Sequence, residues 1–141
     1  DGLAMAEKDG LPAEIMDFIV SHHGTTSTGY CLTQYLNDGG NPDEVSEFYY
    51  DGMRPVTKEQ VVLMICDAVE AASRSLKDYS QESISGLVDR IVDGKAAEDQ
   101  FDDADISLRE VSTMKDTIKS YLQQMYHSRI SYPKMKAKAG K

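Results

Sequence analysis

The chain has 141 residues, 40% hydrophobic and 28% charged, with a formal net charge of -9. Such a length favours one domain and suffices for one core, while the negative excess repels a polyanion and argues against DNA or RNA as a partner. Cys31 and Cys66 show no CxxC or zinc-finger spacing, which suits a reducing compartment, and no apolar run reaches the length of a membrane span.

In chain order, residues 3–8 read as the last turns of a helix, stopped at Asp9-Gly10 with Gly10 as a left-handed cap. Pro12, harmless in a first turn, opens the next helix. Ile15, Phe18, Ile19 and His22 fall at i, i+3, i+4 and i+7, so His22 prolongs a buried stripe, His23 lies beside it, and Gly24 ends the helix. Residues 30–36 form a short helix, Asp38-Gly39-Gly40 a loop, and Asn41-Pro42 starts another short helix to about Phe48. Residues 49–55 are irregular, with a turn at Asp51-Gly52.

Thr57-Lys58-Glu59-Gln60 is a capping box. It opens the most apolar helix, about 58–77, where Val61, Val62, Leu63, Met64 and Ile65 are consecutive. This pattern predicts a helix surrounded by protein rather than half exposed, with Cys66 a small core residue and Asp67 deep inside. Glu70 and Arg74 pair at i, i+4 as a structural ion pair. Ser80 caps a helix to about Val92, with Ile84, Leu87, Val88 and Ile91 on one face. Ser107 and Glu110 form a second capping box, and the last helix runs to about His127 with Leu108, Val111, Met114, Ile118, Tyr121 and Leu122 as its stripe. Residues 134–141 are a short basic tail, expected to be disordered. Strand alternation and internal repeats are absent, so the fold class is all-α.

Imidazole and carboxylate are ligands that divalent transition metals take. A carboxylate buried in an apolar run costs several kcal/mol unless it has a partner, and a metal ion accounts for Asp67 and the His22-His23 pair together. The competing reading of the pair is a helix C-terminus, where an imidazolium complements the dipole; that of Asp67 is a buried ion pair or a bond to a backbone N–H. The acidic stretch 98–105 lacks the glycine and closing glutamate of an EF-hand loop and reads as a solvated loop. His127 has no second ligand at helical spacing. Tyr30, Tyr35, Tyr49 and Tyr50 read as aromatic core rather than as platforms for a base.

Longer strings add a family. His22-His23-Gly24-Thr25-Thr26, preceded by Leu11-Pro12-Ala13-Glu14-Ile15, resembles a block of the HD-domain phosphohydrolases. Phe48-Tyr49-Tyr50-Asp51-Gly52-Met53-Arg54-Pro55-Val56-Thr57-Lys58-Glu59, the run from Asp67 to Leu76, Gln100-Phe101-Asp102 and Tyr126-His127-Ser128-Arg129-Ile130-Ser131-Tyr132-Pro133 resemble, more specifically, the seven-transmembrane HD family. That resemblance implies an HD-domain-like helical bundle and a metal-dependent phosphodiesterase that converts cyclic di-AMP to the linear dinucleotide. It also implies a parent protein at the cytoplasmic face of the bacterial inner membrane, and two metals, iron or manganese, that activate water and neutralise charge on phosphorus. His22, His23 and Asp67 match the family's late ligands; an earlier His, a His-Asp doublet and a further His have no counterpart.

Residues 1–133 are therefore expected to be the C-terminal part of an HD domain. The chain alone is expected to be inactive and to self-associate through its uncovered apolar faces. The alternatives are an HD hydrolase for another nucleotide and a non-catalytic helical module. The sharpest structural expectation is Asp67 pointing inward, close to the His22-His23 helix end.

Overall fold

A computed structural model describes residues 1–128; the expectations for residues 129–133 and for the tail lie outside them. Six α-helices follow in order: α1 (Gly2–Lys8), α2 (Ala13–Ser21), α3 (Gly29–Asn37), α4 (Lys58–Ser73), α5 (Gln81–Ala97) and α6 (Leu108–Ser128). Between α3 and α4 only a 3₁₀ turn forms, Ser46–Phe48. The short helix expected from Asn41 is thus reduced to one turn; Asn41 Oδ1 instead accepts from the Asp43 N–H, a local bond that competes with helix formation. One antiparallel bridge, Ser27 to Tyr49, is the extended pairing among the described residues.

The three long helices start where their caps dictate. Thr57 Oγ1 accepts from the Gln60 N–H at 3.2 Å, while Gln60 Oε1 takes the Val56 N–H at 2.8 Å and the Thr57 N–H at 3.4 Å. Ser80 Oγ accepts from the Ser83 N–H at 3.2 Å. Before α6, Ser107 Oγ takes the Glu110 N–H and Glu110 Oε2 takes the Ser107 N–H. Each cap satisfies donors that a helix start leaves orphaned.

These helices pack around one apolar cluster: Val61, Ile65 and Val69 from α4, Ile84, Val88 and Val92 from α5, Met114 and Leu122 from α6. Full burial of such a side chain contributes about 1.5–3 kcal/mol. Helix α5 is the middle element, packed against both α4 and α6. Helix α2 leans on α1 and on α4, which brings its C-terminal end to the middle of α4.

Several expected burials do not hold. Val62 and Leu63 are each 41% exposed, and Cys66 is exposed, so α4 is amphipathic rather than surrounded. Its uncovered face borders an apolar groove against α6, lined by Val62, Cys66, Ile118 and Tyr121. The thiol of Cys66, desolvated there, is pushed above its ordinary pKa. Five successive apolar residues populate every side of a helix, and α5 covers only one of them. In α6, Leu108 and Tyr121 point outward while Met114 and Leu122 carry the contact. On α2, Ile15 is exposed and Phe18, Ile19 and His22 are half-buried.

Candidate metal centre

Helix α2 ends at Ser21, with His22 in the cap position and its N–H on the Phe18 carbonyl. The His22 ring turns back onto the same helix end: Nδ1 lies 2.8 Å from the Ile19 carbonyl and 3.1 Å from that of Phe18. Carbonyls only accept, so Nδ1 carries the proton and donates. That leaves Nε2 as the nitrogen for a metal, the arrangement that orients a metal-ligating histidine.

Gly24 makes the turn that follows. Its φ is +55°, and a Cβ there would collide with Gln100 Oε1 and come within 2.8 Å of Met64 Cε. Gln100, almost wholly buried, fastens the turn: Oε1 accepts from the Thr25 N–H at 3.1 Å, and Nε2 donates to Thr25 Oγ1 at 3.0 Å and to the Glu98 carbonyl at 2.8 Å. From the other side a second segment closes down. The Tyr50 N–H donates to Thr26 O, the Met53 N–H to Val20 O, and the Thr28 N–H to Phe48 O. Gly52 passes so near that a Cβ would strike the carbonyls of Val20 and Gly24. This closure lays the Tyr50 ring on His23, with centroids 4.4 Å apart and planes 18° from parallel. Tyr50 and Tyr49 are thus exposed rather than core, and Tyr30 projects into solvent. Of the four tyrosines, Tyr35 is half-buried and packs on Phe48.

Asp67 meets this corner from α4. One donor atom from each of His22, His23 and Asp67 lies within 4.8 Å of the other two, and the nearest approach of His23 is Nδ1 to Asp67 Oδ2 at 3.7 Å. The expected proximity holds; the expected depth does not. The Asp67 side chain is 46% exposed and that of His23 42%. An accessible carboxylate carries little desolvation cost, so the argument from an expensive buried charge falls away and the geometry of the three donors remains. Burial and the neighbouring His22 push the His23 pKa down, with Asp67 partly opposing and Lys95 adding to the shift. His23 is then neutral near pH 7, and the 3.7 Å approach is a carboxylate beside an uncharged imidazole rather than an ion pair. Two imidazoles and one carboxylate with donor atoms this close are a fitting partial ligand set for a divalent transition ion.

Other candidates sort out by contact. Glu70 and Arg74 form their i, i+4 pair at 2.6 Å, exposed on α4 and outside the donor cluster. The acidic loop is tied by Arg54, whose Nε meets Asp103 Oδ2 at 3.0 Å, and by Glu98, which takes the Ser27 N–H at 2.9 Å. His127 is exposed and outside the donor cluster. Sequence reasoning missed Lys95, whose Nζ is 3.3 Å from Thr26 Oγ1, and named Tyr50 and Gln100 without their roles as the ring on His23 and the anchor of the turn. A polar residue following a helix end, as Gln100 does, was the available signal, but its partner lies 75 positions away.

No protein-family model matches the chain. The chain is 34% identical over 134 residues to the cyclic-di-AMP phosphodiesterase PgpH of Listeria monocytogenes, covering 94% of this chain and 18% of that protein. To PgpH of Bacillus subtilis it is 34% identical over 133 residues, 94% of this chain and 19% of the relative. In three dimensions it matches the crystal structure of the Listeria PgpH HD domain in complex with cyclic di-AMP, with a TM-score of 0.84, 32% identity, and coverage of 93% of this chain and 61% of that one. The chain thus spans about a fifth of the curated relatives' length and three fifths of the solved HD-domain chain.

Proposed function

We propose that this chain, homologous to the PgpH phosphodiesterases over nearly all of its length and folded as the matched part of their HD domain, forms part of a metal-dependent phosphodiesterase that hydrolyses cyclic di-AMP to the linear dinucleotide. The observation that carries the reading is the gathering of His22, His23 and Asp67 donors in a fold matching an HD domain crystallised with that nucleotide. In the whole domain these three side chains are ligands of a divalent pair, for which iron or manganese is our assignment. Such ions, when bound, supply Lewis acidity that activates water and offsets charge developing on the phosphoryl oxygens. The same reading puts the whole protein at the cytoplasmic face of a bacterial inner membrane; among the described residues no helix is long and apolar enough to cross one.

The chain's own groups have distinct tasks in this scheme. The carbonyls of Phe18 and Ile19 hold the His22 tautomer, leaving Nε2 as the donor. Tyr50, stacked on His23, limits rotation of that ring. Asp67 contributes the negative charge of the set from a helix whose other face is locked in the core. A nucleotide approaches from the exposed side of Asp67 and His23.

Substitution of Asp67 in the whole protein tests this. Asp67→Ala is expected to lower hydrolysis of cyclic di-AMP by about 10²–10³-fold or more, because charge stabilisation at the reacting phosphate is lost, and to lower bound metal measured by elemental analysis. The circular dichroism spectrum should be unchanged, since the carboxylate is accessible and outside the apolar cluster. Undiminished turnover in folded Asp67→Ala protein would refute the assignment.

A further inference from the structure

The two lysines of α6 are neutralised by carboxylates of α5. Lys115 reaches Asp93 at 2.8 Å and Lys119 reaches Asp89 at 2.8 Å. Lys95, near the end of α5, differs. Its side chain is half-buried, yet among the described residues no carboxylate lies within 4.0 Å of Nζ. Its hydrogen-bond partner is the neutral hydroxyl of Thr26, 3.3 Å away. That hydroxyl donates in turn to the His23 carbonyl at 2.8 Å, so Lys95 is coupled to the backbone of the histidine pair. An ammonium has three donors, and this one keeps at least two beyond Thr26. Burial lowers its pKa, with Glu98 and Asp67 partly holding the charge in place.

A half-dehydrated cation without a close counter-ion is unfavourable by itself. It becomes favourable when an anion arrives. The position singles out the anion: one hydroxyl, that of Thr26, separates the ammonium from the His23 carbonyl, and His23 shares its donor cluster with His22 and Asp67. We infer that Lys95 is a substrate-binding residue whose ammonium takes a non-bridging oxygen of the phosphodiester bound at the His22–His23–Asp67 cluster. This inference rests on the phosphodiesterase reading. A lysine suits the task as a compact point charge on a flexible stem, and a phosphate oxygen gives it the charge-assisted bond that Thr26 cannot.

The test uses the whole metal-loaded protein with Lys95→Met, which keeps an apolar stem for the buried part, Lys95→Arg, and Thr26→Val. Steady-state hydrolysis of cyclic di-AMP, its binding by calorimetry, metal content and thermal melting are measured for each. Lys95→Met is expected to lower kcat/KM roughly 10–100-fold, the worth of one hydrogen bond to a charged group, and to weaken binding. Lys95→Arg should restore most of both, and Thr26→Val should cost less than Lys95→Met. Metal content and melting should stay level. Unchanged kcat/KM and affinity in Lys95→Met overturn the inference, as does a loss matched by Thr26→Val or by loss of metal, which makes Lys95 a tether. If the unaltered protein binds cyclic di-AMP through Lys95 without hydrolysing it, the phosphodiesterase reading fails while Lys95 keeps its role. Absence of both binding and hydrolysis sinks both.

Discussion

Ile84 and Val88 sit in an aliphatic cluster closed by α4, α5 and α6, whereas Thr25 and Gln100 are held to one another by directional bonds between two loops. The bundle obtains its stability from area removed from water, a force indifferent to small rotations. The corner of His22, His23 and Asp67 obtains its shape from a glycine at φ +55°, a buried amide and a handful of backbone hydrogen bonds. Hydrogen bonds contribute little net stability but are costly to leave half made. The contrast teaches that the bundle is the platform and the corner is the positioning device, so that damage to each should read out differently.

The strongest blow to that contrast is a cavity in the bundle. Ile84→Ala removes a fully buried side chain from α5, and a loss of about 2–5 kcal/mol is expected. Urea denaturation measures it. Below the melting transition the donors of His22, His23 and Asp67 should keep their arrangement, so metal affinity and turnover in the whole protein should barely change. A large loss of metal without unfolding would mean that core and corner are not separable.

Gln100→Ala is the converse. It removes the partner of the Thr25 N–H, a part-buried bond on an exposed residue, a loss of about 0.5–1.5 kcal/mol. Here the fall in stability should be the smaller one, and the fall in metal affinity the larger, because the turn behind the histidine pair is released. Exchange of the Thr25 amide with deuterium reports the release directly. If Gln100→Ala lowers stability as much as Ile84→Ala while metal binding is retained, Gln100 belongs with the bundle.

The smallest effect concerns the link between the start of α4 and that of α6. Lys58 Nζ lies 2.6 Å from Glu110 Oε1, and this bond, followed by the backbone N–H of Ser107, lowers the Glu110 pKa to about 2. A carboxyl depressed in the folded state stabilises it above the ordinary carboxylate range and loses that contribution as pH falls toward 2. The pair is exposed, so the effect is small. Thermal melting between pH 5 and pH 2 should show a slightly steeper loss for the native protein than for Glu110→Gln. Identical pH profiles would assign the link no weight.

Local signals were legible because their partners are close in sequence. Both capping boxes, the Ser80 cap, the Glu70–Arg74 pair and the left-handed stop at Gly10 form as their residues dictate. The burial of α4 was not legible. Val61 to Ile65 are apolar all round, and periodicity names a face only when the other faces are polar. Asp67 was assigned to the interior by that same pattern, and with it the desolvation argument. Its nearness to His23 holds all the same, because imidazole and carboxylate suit one metal ion whether or not the carboxylate is buried.

The sequence by itself determined an all-α chain, the starts of its long helices, and the residue types that suit a metal: these follow from backbone hydrogen-bonding needs and side-chain chemistry acting over a few residues. Only the tertiary structure decided which face of α4 meets α5, that Asp67 is accessible, that Tyr50 lies on His23, and that Lys95 stands beside the histidine pair with no carboxylate in ion-pair reach among the described residues. Those outcomes depend on segments that sit far apart along the chain, such as Thr25 with Gln100. Contacts at that range are set by how whole helices pack, a competition among burial, volume and hydrogen-bond satisfaction that no short stretch of residues contains.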